Sequence, residues 1–129
     1  MIIASCLFFF FLSCGKDAST NPGEIDFPEK DLSFSQHIRP VLLNRCAFSG
    51  CHSSRSKAGG LDLQKNPPVF QSAAGQVVIP FDAAQSLLFL LLSNSVNGIS
   101  RMPIGGSPLS DAIKKAVETW IDEGADVTN

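Results

Sequence analysis

The sequence predicts an all-α domain of three to four helices joined by long irregular loops. Three apolar patterns carry that expectation. Phe34, Ile38, Val41 and Leu42 recur at helical spacing; Leu87-Leu88-Phe89-Leu90-Leu91-Leu92 forms a short unbroken run; and Leu109, Ile113, Val117, Trp120 and Ile121 line one face of a third segment.

In the first segment Pro40 argues against one regular helix throughout, because proline lacks an N–H and crowds the carbonyl four residues back. The helix is expected to start at Ile38 or Arg39 and lead into Cys46, with Ser33 to His37 as an entry turn. Residues 53–83 hold glycines and prolines throughout, and at most Gln76-Val77-Val78-Ile79 forms a short extended piece. The second helix is expected over 83–94, its leucine run suited to a buried core and far too short to cross a bilayer, which takes roughly 20 residues. The third opens with Ser107 as N-cap and Pro108 at the first helical position, and Gly124 stops it. Lys114, Lys115 and Glu118 fall off its apolar face, and Asp122, Glu123 and Asp126 read as a solvated helix end. A structureless connection of about 30 residues is unusual in a compact domain, unless something other than side chains fills the centre.

Length and charge narrow the function. A chain of 129 residues makes one domain, and ten Lys/Arg against twelve Asp/Glu include no basic stretch to track a phosphate backbone, so no nucleic-acid partner is expected. The opening stretch, MIIASCLFFFFLSC, has an apolar run of about a dozen residues, the length of a signal-peptide core rather than a membrane span. Its end, Leu12-Ser13-Cys14-Gly15, resembles the lipobox of bacterial lipoproteins, which makes Cys14 the expected lipidation site. Residues 1–14 are therefore read as signal peptide and lipobox, and 15–32, rich in Pro, Gly and charge, as a flexible linker with Phe27 a possible contact. Residues 33–129 form the domain. The expected location is extracytoplasmic, periplasmic or cell-surface, with the chain held at a bacterial membrane by its N-terminal lipid.

Cys6 lies in the signal and Cys14 is assigned to lipid, so Cys46 and Cys51 remain for chemistry. They stand in RCAFSGCHSSR, with His52 directly after the second. Cys-x-x-Cys-His marks covalent haem attachment, and here the spacer is two residues longer. At about 100° per residue, cysteines three apart on a helix lie about 60° from each other, whereas cysteines five apart lie about 140° apart and do not share a face. A helix cannot run through the motif, and Ser49-Gly50 is the expected place for a bulge, glycine tolerating conformations closed to other residues. If the motif does hold haem, the iron needs a second axial ligand, commonly Met. Met102 is the one methionine outside the signal and stands in a Pro/Gly-rich loop stiffened by Pro103. Other readings stay open: a Cys46–Cys51 disulfide in an oxidising compartment, or a zinc site drawn from Cys46, Cys51, His52 and His37. His37, near Ile38 and Phe34, reads better as a packing or hydrogen-bonding residue. No Gly-x-Ser-x-Gly elbow or acid pair supports hydrolysis.

FSQHIRPVLLNRCAFSGCHSSRSKAGGLDL, VVIPFDAAQSLLFLLLS and RMPIGGSPLSDAIKKAVETWIDEGA together resemble the small single-haem cytochrome c domains of bacterial secreted and membrane-attached proteins, over about residues 33–126. Such domains often carry an extended Cys-to-Cys spacer, a Gly-Gly-Leu-x-Leu stretch, a Ser-Leu-Leu helix, and a Met-Pro loop before a Trp-Ile helix. The resemblance implies a cytochrome c-like fold around one covalent haem c, with Cys46 and Cys51 at the thioether positions, His52 the proximal and Met102 the distal ligand. It implies a single-electron carrier rather than an enzyme, working with redox partner proteins. Arg101 is expected near a haem propionate, from adjacency alone. The alternatives are a haem-free lipoprotein binding module with a Cys46–Cys51 disulfide, and a peroxidase-like or sensor domain, which Met102 on the iron would block.

Overall fold

The computed structural model describes residues 25–129. The expected signal peptide, lipidated Cys14 and linker residues 15–24 lie outside them.

Ser33 opens the first segment. Its Oγ accepts the Gln36 N–H at 3.3 Å, and its own N–H donates to His37 Nδ1 at 2.9 Å, so side chain and backbone close the turn reciprocally. Phe34–Ile38 form one widened turn of π-helix, and helix α1 follows over Arg39–Arg45 with Pro40 in its first turn. The backbone is already helical at Ile38 and Arg39, so Pro40 sits within a continuous helical run, and its missing N–H falls where the widened turn passes into α1. Helix α2 spans Leu87–Ser93, behind a short 3-10 turn at Ala83–Gln85, and helix α3 spans Asp111–Asp122. A small antiparallel hairpin also forms within the irregular middle: β1 (Gln71–Ser72) pairs with β2 (Gly75–Gln76). Only Gln76 belongs to the stretch expected to be extended.

The start of α3 differs from expectation. Ser110, not Ser107, is the N-cap, accepting from the Ile113 N–H at 3.3 Å. Leu109, 3% exposed, is buried as an anchor of the incoming chain, so helical winding begins after it. The end is a Schellman motif: the Gly124 N–H meets Ile121 O and the Ala125 N–H meets Trp120 O, each at 2.9 Å.

The core gathers Phe34, Ile38, Leu42, Leu63, Val77, Leu92, Val117, Trp120 and Ile121. At its centre Trp120 stacks obliquely on Phe34 (centroids 5.5 Å) and on Phe70 (5.6 Å), while Phe34 and Phe70 meet edge-to-face at 6.4 Å. Ser86, wholly buried, joins the middle region to α2: its Oγ accepts the Ile79 N–H at 2.8 Å and donates to Asp82 O at 2.8 Å.

One expectation is corrected by the way the chain ends are tied down. The last residues assigned to the linker are anchored to the domain: Leu32 is 2% exposed, and Ile25 and Phe27 lie against the core. The carboxylates at the end of α3 are exposed, as expected, and they also act as fasteners. Glu123 accepts the N–H groups of Asp31 (2.6 Å) and Leu32 (2.9 Å), Asp122 accepts that of Ala83 (2.9 Å), and Asp126 accepts both the N–H and the hydroxyl of Thr128. Each carboxylate satisfies backbone donors that neighbouring segments leave open.

Gly124 has φ +111°, and a Cβ there would lie 2.7 Å from Cζ of Phe81, whose ring is 74% exposed and free to swing aside. The backbone therefore carries most of the constraint. Gly124→Ala is expected to destabilise the domain by about 1–3 kcal/mol, the usual cost of such a conformation in a residue with a side chain. Adding Phe81→Ala should recover only a minor part in denaturant titrations; full recovery would place the cost in the clash instead.

Candidate functional site

The motif loop begins where α1 stops. Arg45 is its last residue, Cys46 leaves helical geometry at φ −130°, ψ −33°, and the N–H groups of Cys46 and Ala47 both reach back to Leu42 O at 3.0 Å. Ala47 is buried, and the chain then turns outward through Phe48, which is half-exposed. Gly50 adopts φ +83° and donates its N–H to Ser56 Oγ at 2.7 Å. The Cys51 N–H bonds Phe48 O at 3.0 Å, and the His52 N–H bonds Cys46 O at 3.1 Å. The four spacer residues thus form a loop closed by the backbone of the residues at its ends. This is how the chain meets the helix-face problem, and the left-handed residue is the glycine that the spacer offered.

The downstream loop holds His52 from the other side. Leu63 N–H donates to His52 O at 2.9 Å, and Ala58 N–H donates to Cys51 O at 2.9 Å. Ser53, buried, bends the chain by receiving Ser56 N–H on its Oγ at 3.2 Å and Lys57 N–H on its carbonyl at 2.8 Å. Asp62 ties the loop together: its Oδ1 accepts Ser54 Oγ (2.9 Å), Gln64 N–H (3.0 Å) and Lys65 N–H (3.2 Å), with Lys57 Nζ 3.9 Å from Oδ2. Partial desolvation pushes the Asp62 carboxyl up, but Ser54, the N–H groups of Lys65 and Gln64, and the Lys57 ammonium together hold it below its ordinary range. Sequence reasoning missed Asp62; Leu63 follows it directly, and only the bond from the Gln64 N–H to its Oδ1 marks the Asx turn.

Both thiols are free, Cys51 exposed and Cys46 half-buried. Burial pushes the Cys46 thiol up to about 11, with Arg45 opposing and Cys51 adding to it, so the sulfur is neutral near pH 7. His52 Nδ1 is buried with no hydrogen-bond partner, and so is Arg39 Nε. His37 is accounted for by Ser33, as a hydrogen-bonding residue of the entry turn. Among the described residues no three His, Cys, Asp or Glu side chains converge to hold a metal ion, so the zinc set of Cys46, Cys51, His52 and His37 is not assembled.

Met102 lies on a separate loop carried by α2. Its N–H donates to Leu91 O at 2.8 Å, one of the carbonyls that the last turn of a helix leaves open. Arg101 lays its guanidinium on two carbonyls: Nη1 on Met102 O at 3.2 Å and Nη2 on Gly106 O at 3.1 Å. The structure gives no polar contact between Met102 and the Cys46–His52 loop. Helix α2 exposes more apolar surface than a buried core helix should: Leu91 and Leu92 are buried, whereas Leu87, Leu88, Phe89 and Leu90 are only partly so. Two surface clefts of about 370 and 450 Å³ are lined by none of Cys46, Cys51, His52 and Met102.

Residues 49–103 match the family described as planctomycete cytochrome C. The match supports a cytochrome c-like domain. It spans Cys51, His52 and Met102, and it implies a haem cofactor. No curated protein and no solved structure matches the chain.

Asp62→Asn should lower the melting temperature at neutral pH. A carboxylate held below its ordinary range stabilises fully above that range, near pH 4, and loses its contribution as the pH falls through its lowered value. The difference between variant and parent should therefore shrink below about pH 3.9 in pH-dependent melts.

Proposed function

We propose that this chain is a monohaem c-type electron carrier, held outside the cytoplasmic membrane by lipid on Cys14. The observation that carries the reading is the family match across residues 49–103, which takes in Cys51, His52 and Met102 of the cytochrome-like pattern.

The residues fit the group. A c-type haem needs two thiols, and the motif loop holds two free ones on either side of a closed backbone loop. His52 directly follows the second cysteine, so an imidazole stands where the ring would be attached; its Nδ1 is buried and has no hydrogen-bond partner. Apolar surface on α2 and at Phe48 and Ile104 offers cover to a flat hydrophobic ring.

In this reading Cys46 and Cys51 would hold the ring, and His52 and Met102 would ligate the iron. Haem, when bound, supplies one-electron chemistry, and a His/Met pair raises its potential. The protein sets orientation and access. His52 keeps its place because its N–H and C=O are both bonded, to Cys46 O and from Leu63 N–H. Met102 would occupy the sixth position and exclude the open coordination that peroxidase chemistry requires.

Protein made with haem-attachment machinery is expected to keep its haem absorption after acid–acetone extraction. Haem that washes out, or none at all, overturns the proposal and favours the disulfide-bonded binding module. Met102→Ala is expected to lower the reduction potential and open the iron to added ligands, and an unchanged spectrum and potential would remove Met102 from the ligand set. Cys14→Ser should move the protein from the membrane fraction to the soluble one; retention on the membrane would rule out the lipid anchor.

A further inference from the structure

The loop that carries Met102 is built as a preset frame. After α2, Val96 and Ile99 pair through two backbone hydrogen bonds of 2.9 and 2.8 Å, with Asn97 at φ +50° and Gly98 at φ +80° between them. Two consecutive left-handed residues of this type make the tight reversal favoured by Asn-Gly. Ser95 Oγ then accepts the Arg101 N–H at 3.2 Å, and Leu91 O accepts the Met102 N–H at 2.8 Å. Pro103 O accepts the Gly106 N–H at 3.3 Å. Across this turn Arg101 reaches both Met102 O and Gly106 O. A planar guanidinium with divergent N–H donors can bind two carbonyls at once. An ammonium is a single point donor on a flexible stem.

We propose that Arg101 is a positioning residue that presets Met102 as iron ligand by locking the 102–106 turn. The proposal rests on the haem reading above. Both backbone polar groups of Met102 are bonded, the N–H to α2 and the C=O to Arg101, so only the thioether side chain retains freedom. Without Arg101 the carbonyls of Met102 and Gly106 lose their shared donor, and the turn can open without disturbing α2. Met102 then competes less well with any other ligand for the iron. Arg101 acts through backbone position and not through charge on the cofactor.

The test uses haem-loaded protein and titrates it with imidazole, following the weak red charge-transfer band of methionine sulfur on ferric haem. Arg101→Gln is expected to need about a tenfold lower imidazole concentration for half-displacement than the parent, a change of about 1.4 kcal/mol. Arg101→Lys keeps the charge but not the two-carbonyl span and is expected to behave like Arg101→Gln rather than like the parent. Parent-like titration of Arg101→Lys would overturn positioning in favour of a charge effect. A lower melting temperature in either variant with the parent's imidazole midpoint and potential would reduce Arg101 to a stabilising residue and also overturn it. If Arg101→Gln does not fold, the lysine variant decides between these outcomes. Failure of the haem reading itself is recognised separately, by a parent protein without covalent haem or without a charge-transfer band that Met102→Ala removes.

Discussion

Trp120 is 1% exposed, and its ring can leave water only if the indole N–H finds an acceptor; it finds Asp126 O at 3.0 Å. That acceptor exists because the chain reverses at Gly124 and brings residues 125–129 back along α3. The returning tail then binds the start of the domain: Asn129 accepts the Phe34 N–H at 2.6 Å and donates to Leu32 O at 3.3 Å. Phe34 in turn lies against the indole at 5.5 Å and begins the turn that leads into α1. One buried aromatic ring therefore couples α3, the tail, residues 31–35 and, through α1, the position of Cys46. Truncating a buried aromatic of this size costs about 3–5 kcal/mol, a large fraction of a small domain's stability. Both loops of the candidate site hang on this frame, one from the end of α1 and one from the end of α2, which packs on α3.

Two helices were legible because their apolar residues recur at helical spacing, and the second because its unbroken apolar run suits a core helix. Observed helices at Arg39–Arg45, Leu87–Ser93 and Asp111–Asp122 fall inside the segments so marked. The bulge at Gly50 was legible for a different reason: helix geometry forbade the alternative, and one residue in the spacer could take φ +83°. Boundaries were less legible. Ser107 followed by Pro108 satisfies every local rule for a helix start, yet Ser110 does so as well, and the burial of Leu109 decides between them. No local pattern contains that choice.

What the sequence concealed was the use of polar groups across long separations. Glu123 and Asp31 are 92 residues apart, and Asp122 and Ala83 are 39 apart, so nothing in the neighbourhood of either carboxylate announces its partner. The same holds for residues 25–32, where a composition rich in Pro and charge describes a linker well until the Glu123 carboxylate supplies acceptors for its N–H groups. Arg101 is the instructive case. Its adjacency to Met102 suggested an anionic partner, and nothing in that adjacency announces the carbonyls of Met102 and Gly106 that its guanidinium spans. The Asn97-Gly98 pair forms a tight turn that the sequence reading passed over, because apolar periodicity makes no use of it.

The proposed axial ligands sit on unrelated loops, yet they are held in the same way. His52 has its N–H on Cys46 O and its C=O under Leu63 N–H; Met102 has its N–H on Leu91 O and its C=O under Arg101 Nη1. In each case the backbone is fixed from two directions and the side chain alone is left to meet a partner. Such an arrangement costs ordering entropy during folding, so that little remains to be lost when the ligand arrives. Bonded backbone groups are the rule in a folded chain; what sets Met102 and His52 apart is that their side chains stay only partly buried. Under the proposed function, this leaves the Met102 sulfur and the His52 ring open to a prosthetic group while the backbone on either side holds them in place.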